Sequence, residues 1–151
     1  MSTNGGMSVE EGVRSMLLLM PRVVGRAKRL PVPASLRSLE LAPRHLSMLA
    51  FLLFDGRLTI NELAARLEVA PTTVSLMVGE LSRKGVLDRS EDDQDRRRTI
   101  VSIAGAHRVA VEKWLAGSAA AWRAALKPLT DEQRGVVVQV LRAYEEAALT
   151  E

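Results

Sequence analysis

The chain has 151 residues, 47% hydrophobic and 26% charged, with a formal net charge of +3, about one domain's length and enough to bury a core without covalent staples. It has no cysteine and only two histidines, His45 and His107. That excludes a disulfide framework, a thiolate zinc site and thiol-based sensing, and it leaves little material for histidine acid–base catalysis.

Residues 1–7 are expected to be disordered. Ser8-Val9-Glu10-Glu11 has the spacing of a capping box, a hydroxyl with a carboxylate three residues on, and predicts a helix to about Arg29. Pro21 lacks an N–H, so a kink or break is expected there. Pro31-Val32-Pro33 stops the helix. Residues 12–39 carry Arg14, Arg22, Arg26, Lys28, Arg29 and Arg37 and no acid. Such a face is either simply solvated or turned toward acidic partners or DNA phosphates. The most apolar run, Met16–Met20, is far shorter than the roughly 20 residues of a membrane span. No basic start of a signal peptide precedes it. The expectation is a cytoplasmic protein with no membrane partner.

The next helix is predicted from Leu41 to Phe54, with Leu46, Leu49, Ala50 and Leu53 at helical spacing. Asp55-Gly56 ends it, and Arg57-Leu58 is too short for more than an edge strand. Thr59-Ile60-Asn61-Glu62 is a second capping box and opens a short helix through Leu67. Glu68-Val69-Ala70 makes a turn. A helix follows from about Pro71 to Lys84, with Pro at its first position and Gly85 just past its end.

The period then changes. Val86–Ser90 reads as a strand, Glu91–Arg98 (EDDQDRRR) is wholly polar, and Thr99–Ile103 alternates polar with β-branched residues. The two strands make a hairpin around a long polar tip. An Ala-rich helix is predicted from Ala106 to about Leu126, broken by Lys127-Pro128. Trp114 and Trp122, eight apart, are read as sharing one of its faces. Thr130-Asp131-Glu132-Gln133, a third capping box, opens a last helix to about Leu149.

The predicted fold class is therefore mainly α, a winged helix-turn-helix with a small β-hairpin wing. Two short helices joined by a tight turn lay the second in a DNA major groove, and a hairpin directly after it reaches the neighbouring groove. Val74, Met77, Val78 and Leu81 share one face of the second helix and should pack inward. Thr72, Thr73, Ser75, Leu76 and Gly79 lie away from that stripe. Hydroxyls can bond phosphates or base edges and a leucine can touch a thymine methyl, so Thr72, Thr73, Ser75 and Leu76 are the candidates for base edges. Arg83 and Lys84 are the candidates for phosphate, and Arg96, Arg97 and Arg98 for the wing, with Asp95 orienting Arg97 from two residues away.

Charge sets the main alternative. Residues 83–98 hold six cations and five acids, a near balance for a surface whose affinity rests on phosphate neutralisation. A winged-helix module that binds protein and not DNA fits that balance. The acidic run Glu91–Asp95 lacks the spacing and glycine of a calcium loop and reads as a charged tip. No metal and no cofactor is expected. With no phosphate-binding loop and no nucleophile motif, neither is an enzyme.

Residues 69–103, VAPTTVSLMVGELSRKGVLDRSEDDQDRRRTIVSI, resemble the recognition helix and wing of MarR-type winged-helix regulators. Asp95-Arg96-Arg97 followed by Val101-Ser102-Ile103 is the most specific part, and Thr59–Leu67 (TINELAARL) resembles that family's preceding helix. The resemblance implies a single domain over residues 1–151. In it, 41–103 bind DNA, while 8–29 and 106–149 interleave as the helical dimerisation region of a homodimer. It further implies repression relieved by a small phenolic or anionic ligand, for which the crevice between the first helix, the Leu41–Phe54 helix and the Ala106–Leu126 helix is the expected place. The expected partner is a double-stranded, pseudo-palindromic operator. Trp114 and Trp122 are expected to pack in the dimer arm. The chain departs from the family at Leu76, where Arg is frequent. It departs again at Ala104 and His107, where a Thr cap and a Gly are usual, so the following helix is expected to start raggedly.

Overall fold

The computed structural model describes residues 6–150. Most of the start expected to be disordered, residues 1–5, lies outside the described residues. The chain divides into two compact units, Met1–Leu115 and Ala116–Glu151.

The first unit runs α1 (Val9–Lys28), α2 (Ala34–Arg37), α3 (Pro43–Asp55), β1 (Leu58–Thr59), α4 (Ile60–Leu67), α5 (Pro71–Arg83), β2 (Leu87–Glu91), β3 (Thr99–Ile103) and the opening turns of α6 (Gly105–Leu126). Local chemistry fixes most of the boundaries. Ser8 accepts from the Glu11 N–H while the Glu11 carboxylate accepts from the Ser8 N–H. Thr59 and Glu62 make the same exchange at the start of α4. Such a box satisfies two of the four N–H groups that a helix start leaves orphaned. Gly85, at φ 76, and Gly56, at φ 81, take the left-handed backbone that follows α5 and α3.

One expectation is corrected here. Of the kink or break expected at Pro21, the break does not occur: α1 runs from Val9 to Lys28 with Pro21 inside it. Pro21 removes one hydrogen bond from a twenty-residue helix, and the turns on both sides remain intact. The segment between Pro33 and Leu41, to which the sequence assigns no element, contains α2, whose Leu36 is fully buried in the core.

The core lies between α3, α4, α5, the sheet and the start of α6. Met48, Leu49 and Leu52 of α3 meet Leu63 of α4, Val74, Val78 and Leu81 of α5, and Val101 of β3. The three strands are antiparallel in the order β1-β3-β2. Leu87 pairs with Ile103 at the base of the hairpin and Glu91 with Thr99 toward its tip, so the apolar end sits on the core and the polar end projects. β1 is an edge strand of two residues, as the short Arg57-Leu58 run predicts. Leu81→Ala would leave a cavity beneath α5 and should cost about 2–5 kcal/mol. A lower urea midpoint at unchanged slope checks this.

The second unit holds the rest of α6 and α7 (Asp131–Leu149), whose start carries the third capping box, between Thr130 and Gln133. Arg134 closes the turn before it. Its guanidinium donates to the carbonyls of Leu126 and Lys127 and to the Asp131 carboxylate. No residue of α7 is buried. Trp122 is half exposed, whereas Trp114 belongs to the core of the first unit, so the two do not share a buried face. Eight residues advance about 80° around a helix, which is enough to part them.

Candidate nucleic-acid interface

Helix α5 sorts its residues by contact with the core. Val74, Met77, Val78 and Leu81 are buried, while Thr72, Thr73, Ser75 and Leu76 are exposed, Leu76 to 71%. Gly79, expected away from the buried stripe, is buried as well. Arg83, one turn on, covers it, with Nη1 3.5 Å from where a Cβ would stand. The helix therefore presents its first two turns bare and its end shielded by a long side chain.

The wing is built around Asp95. Its carboxylate accepts from the Arg97 backbone N–H at 3.1 Å and from Arg97 Nε at 3.2 Å, and Arg98 Nε lies 3.6 Å away. The hydrogen bonds from Arg97, side chain first, hold the Asp95 carboxyl below its ordinary range, with the Arg98 charge adding to them. The Arg97 side chain is nonetheless 91% exposed. One acid thus orients two guanidinium groups without enclosing either. The tip is closed by Asp92 N–H donating to the Arg98 carbonyl and Arg98 N–H donating to the Asp95 carbonyl. At the sheet, Arg57 donates to the Ser90 hydroxyl, tying the chain before β1 to β2.

Helix α4, α5 and the wing meet around an open cleft of about 670 Å³. Thr59, Ile60 and Asn61 line it from the start of α4, Pro71, Thr72, Ser75 and Leu76 from α5, and Arg97, Arg98 and Thr99 from the wing. Five of the residues singled out from the sequence are brought together there: Thr72, Ser75, Leu76, Arg97 and Arg98. Thr73 and Arg96 are exposed but do not line it. Arg83 and Lys84 stand at the far end of α5, and the Lys84 ammonium donates to the Leu39 carbonyl. Sequence reasoning missed Asn61 and Thr99. The available signal for Asn61 was its place in the first turn of a capped helix. A polar side chain there stands beside free backbone N–H groups.

Two helices joined by a three-residue turn, with a hairpin directly after the second, define a winged helix-turn-helix protein. Residues 39–98 match the MarR family. Over 122 residues the chain is 32% identical to the HTH-type transcriptional repressor MdtR of Bacillus subtilis (strain 168), covering 79% of each protein. The chain belongs to the MarR family of transcriptional regulators. Among solved structures, NadR in complex with 4-hydroxyphenylacetate is similar at a TM-score of 0.70 and 13% identity, over 95% of this chain and 96% of that one. The MepR–DNA complex of S. aureus is similar at a TM-score of 0.64 and 22% identity, over 87% and 96%. These two likenesses concern the fold.

Proposed function

We propose that this regulator is a homodimeric repressor that binds a pseudo-palindromic duplex operator and releases it when a small phenolic or anionic ligand binds. The cleft carries the reading: it joins short hydroxyls and one exposed leucine on a helix to two guanidinium groups on a wing. In it, Thr72, Ser75 and Leu76, with Thr73 beside them, meet base edges in the major groove. Arg96, Arg97 and Arg98 reach the adjacent minor groove, where a narrow width concentrates negative potential. Arg83 meets phosphate, and Lys84 does so only by leaving the Leu39 carbonyl.

Residues 41–103 form the DNA-binding part, and 8–29 with 106–149 the dimerisation part. The exposed apolar positions of α1 and of α7, each taken by itself, support that division. Repression is supported by MdtR being a repressor, and a phenolic ligand by the hydroxyphenylacetate held by NadR. A protein-binding module without DNA affinity is the second reading, favoured by the near balance of charge over residues 83–98.

Footprinting on the promoter DNA of its own gene tests the proposal. Protection of two half-sites with centres about 10 bp apart is expected, and an unprotected promoter at low salt would overturn it. Arg83→Ala should weaken specific and unrelated duplexes alike and flatten the salt dependence by about one unit of slope. A titration on both duplexes at several salt concentrations checks it.

A further inference from the structure

Helix α3 begins in an unusual way. Its N-cap residue is Ala42, which has no side-chain acceptor to offer. His45, three residues on, takes the role that Glu or Gln has in a capping box: its Nδ1 accepts the Ala42 N–H at 3.0 Å. A ring nitrogen that accepts carries no proton, so the network assigns the proton to Nε2. The His45 side chain is 4% exposed, and Nε2 has no hydrogen-bond partner among the described residues. Glu80 Oε2 lies 3.5 Å from it, on α5. Glu80 is also 3.8 Å from Arg44 Nη2. One turn beyond Glu80, Lys84 at the end of α5 donates to the Leu39 carbonyl. The back end of the recognition helix thus meets the first turn of α3 at Glu80 and the segment before α3 at Lys84. Glu80 stands eight residues from Thr72, about 12 Å along the axis, so a small shift at Glu80 is carried by a rigid helix to the cleft.

We propose that His45 and Glu80 are positioning residues that seat α5 for operator binding, and that this seat holds only while His45 is neutral. The proposal rests on the DNA-binding reading. Protonation would place a hydrogen on Nδ1, facing the Ala42 N–H donor to donor, and would open the cap of α3. It would also turn the loose contact with Glu80 into a charged pair and draw the ring toward α5. The groups that face His45 act in both directions. Burial, Arg44 and Lys84 oppose its charge, Glu80 favours it, and burial is the largest influence, so the pKa lies below the ordinary histidine value. A folded pKa below the unfolded value of 6.5 means that the neutral seat is complete above that pH. It is lost as pH falls from there through the folded pKa.

Fluorescence anisotropy with the footprinted operator tests this, with far-UV circular dichroism at each pH to show that the protein stays folded. The parent should bind more weakly as pH falls below 6.5, losing severalfold or more in affinity by the lowest pH at which it stays folded. His45→Gln restores an acceptor for Ala42 and cannot titrate. It should bind within about threefold of the parent at neutral pH and lose most of the pH dependence. Glu80→Gln, a substitution at a partly exposed residue, should weaken neutral-pH binding about three- to tenfold, and His45→Ala with Glu80→Ala should be less than additive. His107→Gln should keep the parent's pH profile. A His45→Gln protein with the parent's pH dependence, or additive single variants, would overturn the inference while leaving operator binding intact. A parent with no duplex affinity at any pH would overturn both.

Discussion

Val140→Glu together with Leu141→Glu is expected to turn the proposed dimer into a monomer and to reduce operator affinity by more than about a hundredfold, although neither residue lines the cleft. Helix α7 has no buried residue, and Val136, Val138, Val140, Leu141, Tyr144 and Leu149 are all exposed on it, Tyr144 to 70%. Helix α1, also without a buried residue, exposes Val13, Met16–Met20, Val23 and Val24. Soluble monomers rarely leave contiguous apolar strips of that extent in water. A two-fold partner would cover the same strip on both copies at once. It would also couple two recognition helices, so each weak half-site contact is made at the high effective concentration set by the other. Two buried carboxylates at such an interface would each face a desolvation cost with no partner. Sedimentation of parent and variant reads the assembly, and anisotropy reads the affinity. A parent that sediments as a monomer and still binds operator tightly would defeat both the dimer and the half-site spacing.

Arg97→Ala is expected to cost about 1–3 kcal/mol of operator binding, roughly five- to 150-fold. The guanidinium is held by Asp95 through Nε, and the Arg97 backbone N–H donates to the same carboxylate, so it is aimed without being enclosed, and its contact with DNA would be charge-assisted. Because the side chain is 91% exposed, the change should leave the urea midpoint where it was. Asp95→Asn keeps the arginine and removes the charge that orients it. It should show a smaller loss, with Arg97 still contributing in a less ordered position. If Arg97→Ala binds as tightly as the parent, the wing is no DNA element.

What the sequence disclosed is what short-range chemistry decides. The boxes at Ser8, Thr59 and Thr130 each rest on a pair three residues apart and form as predicted. The hairpin strands follow from a change of period, and β3 spans Thr99–Ile103 as read. The Asp95–Arg97 contact was legible because the two residues are two apart. Helix α2 was not, because four residues hold no period to read. Long-range ties were closed to inspection too: Lys84 meets Leu39 across 45 positions and Arg57 meets Ser90 across 33. The cleft was half visible. Its α5 and wing sides carry motifs, but its third side, Asn61 beside Thr59 and Ile60, is set by how α4 packs on α5 and β1. Arg83 stands one turn from Gly79, as the helical period gives, but that its side chain folds back over the glycine is a rotamer the sequence does not encode.

Duplex affinity measured across a salt series, on the footprinted operator and on an unrelated sequence of equal length, bears most directly on the central claim. A protein that seats guanidinium groups and recognition-helix side chains on DNA should lose affinity for both duplexes steeply and linearly in log salt, by about 0.9 for each phosphate neutralised. It should prefer the operator at every salt concentration by about a thousandfold or more. No measurable affinity for either duplex at low salt would contradict it, and would turn the cleft over to a protein partner.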